Sequence, residues 1–367
     1  MNTPVLIVGG GLAGLTAAHH LHQAGIGFQL LEARDRLGGR ILSTDASGRI
    51  ADDGFDLGPS WFWPGMQSAM SYLVDDLALP FFAQHSEGDT IFQRTPNEAP
   101  RRFRGYRQEP ESMRLTGGIG AVVSTLASGL PAANIQLGAR VTQLRLAEME
   151  VKVAFTAANS TVQRMNAQYV LVTVPPRLLE ATVAFSPALD AETARNWRNT
   201  PTWMATHAKF LALYERPFWR EAGLSGTAQS AAGPLVEIHD ATTASGKAAL
   251  LGFLGLSARQ RATIGREPIV RASIQQLVRL FGPDAGHPHA ILFKDWADDL
   301  FTATDDDRQG GGHPIPSGLA PVPGEWMGRV ILAGTEAGRH EAGYLGGAVE
   351  AAEFAVREIM NQLESVP

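Results

Sequence analysis

The sequence predicts an α/β fold in which two domains interleave along the chain. Three observations predict it. The 367 residues exceed what one ordinary hydrophobic core organises. A short apolar strand, a glycine turn and a helix open the chain. A second buried strand, at 330–332, returns near the other end and is again followed by glycines and a helix.

The opening has the pattern of a βαβ unit. Pro4-Val5-Leu6-Ile7-Val8 is a continuous apolar run, as expected of a parallel strand covered on both faces. Leu12, Leu15, Ala18 and Leu21 then repeat at helical spacing, and Gly25 and Gly27 end that helix. Phe28-Gln29-Leu30-Leu31 is the second strand, closing on Glu32. A helix is expected over 68–79, and strands and loops over 87–111. Gly117-Gly118 opens a helix that runs through Leu126. Strands are expected at 135–137, 139–146, 151–155 and 169–174, where Pro175-Pro176 stops the last. Residues 205–214 and 250–254 read as further strands, 267–281 as a helix and Gly310-Gly311-Gly312 as a loop. Gly346-Gly347 leads into a helix that ends near Glu364.

Composition removes several function classes. Hydrophobic residues make up 44% and charged residues 19%, an ordinary globular balance. The net charge of −6 leaves no basic surplus to neutralise phosphates, so no nucleic-acid partner is expected. The chain has no cysteine, which excludes disulfides, thiolate metal sites and a cysteine nucleophile. His19, His20 and His22 lack acidic partners at ligand spacing, and no metal site is expected. No Gly-x-Ser-x-Gly elbow occurs. The first strand begins at Pro4, leaving no room for a signal core, and no apolar run is long enough to span a membrane. Cytoplasmic residence is the expectation.

Gly9-Gly10-Gly11-Leu12-Ala13-Gly14 places the G-x-G-x-x-G spacing between strand and helix. Gly9 permits the tight turn, Gly11 lets the backbone approach a pyrophosphate, and Gly14 lets the helix pack close to the strand. The helix N-terminus offers unpaired N–H groups to phosphate. Glu32, at the end of the second strand, is placed to accept bonds from a ribose diol. Arg36-Leu37-Gly38-Gly39-Arg40 follows at once, and a second glycine pair with cations favours FAD over NAD. Without cysteine, a thioether to the flavin is excluded, and noncovalent FAD is expected.

At this point the sequence resembles the flavin-containing amine oxidases, the family of monoamine oxidases, polyamine oxidases and L-amino-acid oxidases. Four stretches carry the likeness: residues 5–40, the run Asp56-Leu57-Gly58-Pro59-Ser60-Trp61, residues 205–219 and residues 331–353. The resemblance implies a Rossmann-like FAD-binding domain from residues 1–67, 115–195 and 290–367. A smaller mixed α+β substrate domain would come from 68–114 and 196–289, with a shortened helical lid. It implies FAD contacts at Gly9, Gly11, Leu12, Ala13, Gly14, Glu32, Ala33, Arg34, Gly39 and Arg40. Gly58, Pro59, Ser60 and Trp61 would pass near the flavin ring, and the Val141 backbone would meet the adenine end. Gly334, Thr335 and Glu336 would lie beside the ribitol and diphosphate. Gly343, Tyr344, Leu345 and Ala348 would set a helix N-terminus against the flavin, where it stabilises the negative charge of the reduced ring. Trp61, Trp63 and Trp296 are candidate pocket walls.

Lys209 stands in a strand whose two faces are both largely apolar, with His207, Leu211 and Leu213 on its own side. A lysine there is costly unless paired or hydrated, and burial lowers its pKa toward proton-handling range. By resemblance it holds a water against flavin N5. Tyr344 matches one of two aromatics that flank the substrate amine, and its partner position falls at Asp305 or Asp306. Glu341 also replaces an aromatic. An acid near the flavin would suit a second cationic group, and the favoured alternative is a solvated loop of the three aspartates Asp305, Asp306 and Asp307. The implied reaction takes a hydride equivalent from the C–H bond beside an amine nitrogen. The imine is hydrolysed by water, and O2 reoxidises the flavin to give H2O2. The alternatives are a flavin desaturase, a renalase-like oxidase of a ring substrate, or a non-catalytic structural flavoprotein.

Overall fold

The structure, a computed structural model, describes residues 2–105, 109–148, 150–310 and 322–364. Its strands run β1 (Asn2–Val8), β2 (Phe28–Leu31), β3 (Ser43–Thr44), β4 (Phe55–Asp56), β5 (Phe81–Ala83), β6 (Asp89–Gln93) and β7 (Arg101–Phe103). Then come β8 (Met113–Leu115), β9 (Ile135–Gln136), β10 (Arg140–Ala147), β11 (Glu150–Thr156), β12 (Val162–Val172) and β13 (Ala184–Ser186). The last are β14 (Ala208–Tyr214), β15 (Leu224–Ser230), β16 (Leu235–Asp240), β17 (Ala248–Leu254), β18 (Ala290–Asp295) and β19 (Val330–Leu332). The helices are α1 (Leu12–Gln23), α2 (Ser68–Asp76), α3 (Gly120–Ser128), α4 (Pro176–Thr182) and α5 (Ala191–Asn199). They continue with α6 (Phe218–Glu221), α7 (Ala258–Ile264), α8 (Arg266–Phe281), α9 (Asp305–Arg308) and α10 (Leu345–Glu364).

Two large sheets organise these elements. The first has the order β13-β10-β11-β12-β1-β2-β9, with β19 also on β12. β1 pairs in parallel with both β2 and β12. The continuous apolar opening is explained by cover on both faces. Val5 and Ile7 pack with α1, α3 and α10, while Leu6 and Val8 face a second cluster with Leu144, Val153 and Trp197. The second sheet, β18-β14-β17-β16-β15-β6-β7, is mostly antiparallel. Alternation along β14 sends Ala208, Phe210, Ala212 and Tyr214 toward α8, whose Ile269, Leu277, Leu280 and Phe281 meet them. Leu211 and Leu213 face the other way, against Phe55 and Leu57 of the first unit. Lys209 lies on that second face, where the two units meet.

The packing divides the chain differently from the expected boundaries at 68 and 290. α2 buries Met70, Leu73 and Val74 in the core of the first sheet, because its apolar stripe fits against α10. Only β6 and β7 of the expected 68–114 segment join the second sheet. At the other boundary, β18 pairs antiparallel with β14, so residues 290–295 belong with the second sheet. The glycine loop expected at 310–312 lies, from 311 on, outside the described residues. No described helix is long and apolar enough to cross a membrane.

Candidate active site

The dinucleotide turn is locked by contacts that only glycine permits. Gly9 has φ +108°, and a Cβ on Gly14 would lie 1.9 Å from the Gly9 carbonyl oxygen. α1 therefore starts directly on the turn. Thr173 Oγ1 donates to the Val8 and Gly9 carbonyls, 3.0 Å each, and fixes the turn from the neighbouring strand. α1 has no acidic residue in its first turn and no side-chain cap, so its N–H groups remain open to a ligand. Glu32 is buried beside it, accepting from Gly10 N at 2.6 Å and from Arg34 N at 2.8 Å. The second glycine pair packs on the first: a Cβ on Gly39 would meet Gly11 Cα at 3.2 Å. The Arg36 guanidinium pins that loop through the Leu37, Gly39 and Ile41 carbonyls.

From this turn one cavity of about 420 Å³ runs to the interface of the two sheets. Arg34 and Arg40 line it beside the glycine turn. Arg34 is held by Asp299 at 2.6 Å and Arg40 by Glu336 at 2.9 Å. At the other end Lys209, 2% exposed, points its Nζ at the first unit. It donates to the Gly58 carbonyl, to Ser60 Oγ at 2.9 Å and to the Asp56 carbonyl at 3.5 Å. Burial pushes its pKa down to about 7, with Asp56 opposing the fall and Arg114 adding to it. The rings of Phe253 and Trp61 stand 5.1 Å and 5.6 Å from Nζ. His207 is lowered by burial first and by Arg261 second, and its ring lies 5.6 Å from that of Trp203.

A second helix N-terminus enters the same cavity. Leu345 and Ala348 of α10 line it, with no acid in that helix's first turn. Thr335 Oγ1 donates to the Tyr344 carbonyl at 2.6 Å, tying the Ala-Gly-Thr-Glu segment to the start of the helix. Gly347 is required by crowding, since a Cβ there would come 2.1 Å from the Glu341 carbonyl oxygen.

Most of the residues expected from sequence converge on this cavity. Gly9, Gly11, Leu12, Ala13, Glu32, Arg34, Gly39 and Arg40 line one end. Gly58, Pro59, Ser60, Trp61, Trp296, Lys209, Thr335, Gly343, Tyr344, Leu345 and Ala348 line the rest, as does Trp63. Gly14, Ala33, Val141, Gly334 and Glu336 lie off the wall. The Val141 side chain is in the core of the first sheet, and Gly14 is turned onto Gly9.

Asp305, Asp306 and Glu341 do not line the cavity. Asp305 and Asp306 are exposed on α9. Asp307 is buried, closes a capping box with Thr304 and pairs with Arg177 at 2.6 Å. Local hydrogen bonding and this distant cation account for the three aspartates. Glu341 sits over Gly346 outside the cavity, its carboxyl raised by burial and then by Glu350. The sequence missed Glu237, His239 and Phe253, which reach the cavity from β16 and β17, and Trp203, whose ring is 6.3 Å from that of Tyr344.

The cavity suits FAD on three structural grounds. The uncapped N-terminus of α1 and the acid-free first turn of α10 open into it, Arg34 and Arg40 supply positive charge, and the paired glycine turns leave a cradle that a Cβ would fill. The family model for flavin containing amine oxidoreductases matches residues 12–105 and 99–360. The chain belongs to this family. As a flavin-containing amine oxidoreductase it uses FAD, and the desaturase and structural-flavin alternatives are not favoured. It is 24% identical to a probable flavin-containing monoamine oxidase A of Dictyostelium discoideum, with 98% of each chain covered. It is also 24% identical to the human amine oxidase [flavin-containing] B, over 99% of this chain and 87% of that one. A putrescine oxidase solved with putrescine bound superposes with a TM-score of 0.83 at 20% identity, covering 98% of this chain and 99% of the other. The cyclohexylamine oxidase of Brevibacterium oxydans IH-35A gives 0.82 at 21%, covering 99% and 100%. At these identities the structural likeness establishes the fold.

Proposed function

We propose that this amine oxidoreductase is a cytoplasmic oxidase of a small amine, with O2 as the acceptor and H2O2 as a product. The observation that carries the proposal is Lys209. A lysine 2% exposed, its Nζ turned to the 56–60 segment, sits in the same cavity as the dinucleotide turn. FAD supplies the hydride acceptor. The chain's own groups bind, orient and handle protons.

The first turn of α1 with Arg34 and Arg40 would hold the diphosphate of FAD, and Glu32 would hold the ribose. The N-terminus of α10, through Gly343, Tyr344 and Leu345, would hold the flavin, and the positive end of the helix dipole would favour negative charge on the reduced ring. Trp61 and Phe253 close one side of the substrate space, and Tyr344 and Trp203 another. Aromatic walls exclude water and prefer an uncharged amine body with a cationic or electron-poor nitrogen. Lys209 Nζ, with a pKa near 7, exists in both protonation states at neutral pH. It is suited to hold a proton during turnover and to return it.

The test is an anaerobic screen of the purified yellow protein with primary amines, diamines and amino acids, following loss of flavin absorbance. Bleaching by one class, then peroxide on admitting air, is the expected result. A flavin that no amine bleaches would refute the proposal.

A further inference from the structure

Pro217-Phe218-Trp219 closes one of the stretches that resemble the amine oxidases, yet none of the three residues lines the cavity. Trp219 is buried in the core on the α8 side, and its indole Nε1 donates to Asp240 Oδ2 at 2.7 Å. Asp240 is 1% exposed and bound on every side. Oδ2 also accepts from Arg220 Nε at 2.7 Å, and Oδ1 accepts from Arg220 Nη2 at 2.9 Å and Thr242 N at 2.8 Å. A residue held in this way keeps its own carbonyl in place.

That carbonyl is one of two that fix Gln84. Gln84 Nε2 donates to the Asp240 carbonyl at 2.8 Å and to the His85 carbonyl at 3.1 Å. A carbonyl only accepts, so the amide nitrogen must lie on that side and the amide oxygen on the other. There Gln84 Oε1 accepts from Trp61 Nε1 at 2.6 Å. An indole N–H only donates, so an amide turned end for end would lose all three bonds. The contacts therefore run in one orientation from Trp219 to the cavity wall.

At the end of this run Trp61 meets Lys209. Lys209 Nζ lies 5.6 Å from the centre of the Trp61 ring and 5.1 Å from that of Phe253. The His239 ring packs edge-on against Trp61, with centroids 5.0 Å apart. Trp61 and Phe253 both line the cavity, and between them they cover the amine. A tryptophan side chain turns about two bonds, and the Gln84 bond sets where its plane stops.

We propose that Gln84 is a positioning residue for amine oxidation, which anchors the Trp61 indole as the cover of the Lys209 amine. This inference rests on the proton-handling role proposed for Lys209 above. Gln84 acts through Trp61. Without its acceptor the indole N–H turns toward water, the ring swings off the amine, and water reaches Nζ. Burial is the largest influence on this amine. Hydration therefore outweighs the lost ring face, and the amine keeps its proton to higher pH.

The test follows urea unfolding against pH, in saturating FAD, for the wild type, Gln84→Met, Trp61→Phe and the double variant. Stability of the wild type rises with pH once the folded amine releases its proton. In Gln84→Met the onset of that rise should move up by about one pH unit, the size a hydrogen bond of this kind can impose. Trp61→Phe lacks the indole N–H and should move the onset equally, so it carries the test even where Gln84→Met does not fold. The double variant should move it no further. The other ionisable groups around the amine and its cover are Asp56, Arg114, His207, Glu237, His239 and Lys294. All four proteins share them, so their titration drops out of the differences. The pH profile of flavin reduction by an amine that bleaches the wild type should shift with the onset. Curves displaced downward in parallel, or shifts that add in the double variant, overturn the positioning role. The unfolding curves need no amine. An onset that moves while no amine bleaches the flavin keeps Gln84 as the anchor of Trp61 and removes the amine oxidase function.

Discussion

Replacing Lys209 with methionine should change how stability depends on pH, and the direction follows from burial. In the unfolded chain the amine titrates at the model value of 10.5, and in the folded protein at about 7. Below pH 7 both states hold the proton, and the folded state carries the full penalty of a buried charge. Between 7 and 10.5 the unfolded state binds more protons than the folded one, so stability rises with pH. The rise is about 1.4 kcal/mol per pH unit in that window. From pH 7.5 to 9 the wild type should therefore gain about 2 kcal/mol relative to Lys209→Met. The variant also leaves the Gly58 carbonyl and Ser60 Oγ without their donor. That loss shifts its baseline downward but does not titrate in this range. Urea unfolding in saturating FAD, at intervals across pH 6.5 to 9.5, measures the difference between the two proteins. Parallel curves would show that Lys209 keeps an ordinary pKa, and proton handling by this residue would then be lost with it.

Three other substitutions separate the roles of neighbouring groups. Gly14→Ala should abolish FAD retention on purification, because the new Cβ would lie 1.9 Å from the Gly9 carbonyl oxygen; flavin-to-protein absorbance decides it. Tyr344→Ala should lower the second-order rate of flavin reduction by amine roughly tenfold, about 1.4 kcal/mol of transition-state binding, and an unchanged rate would remove Tyr344 from the substrate walls. Asp307→Asn should cost about 3 kcal/mol of stability, because it leaves the Arg177 cation buried and unpaired. Its rate of reduction per bound flavin should stay at the wild-type value, and a large drop would show that Asp307 acts on the active site.

The parts of the fold legible in sequence were those set by short-range patterns. The β1–α1–β2 opening carries its own punctuation, since glycine spacing, apolar runs and the terminal Glu32 all lie within one unit. Lys209 was legible because an amine among apolar alternation has few structural explanations. Glu237 and His239 were not, for β16 is only 6 residues long and has a register shift between Leu235 and Glu237. Its alternation never shows as a pattern. Trp203 lies in a turn beside Met204, whose φ is +64°, where no periodicity exists to read. The burial of Asp307 was not legible because the cation that pairs with it, Arg177, is distant in sequence. The place of α2 was hidden for a different reason. An apolar stripe shows that a helix packs, and not which of two cores receives it.

The hydrogen bonds that close the cavity join distant parts of the chain. Lys209 meets Asp56 across 153 positions, and Arg34 meets Asp299 across 265. Contacts of such separation form only after long loops have closed, so they come late in folding. A chain with one sheet formed and the other still open has the glycine turn but no cavity. Yellow colour in the isolated protein is consequently a record of completed assembly, and the rebinding of FAD during refolding, followed by its fluorescence, should lag behind the recovery of helical circular dichroism.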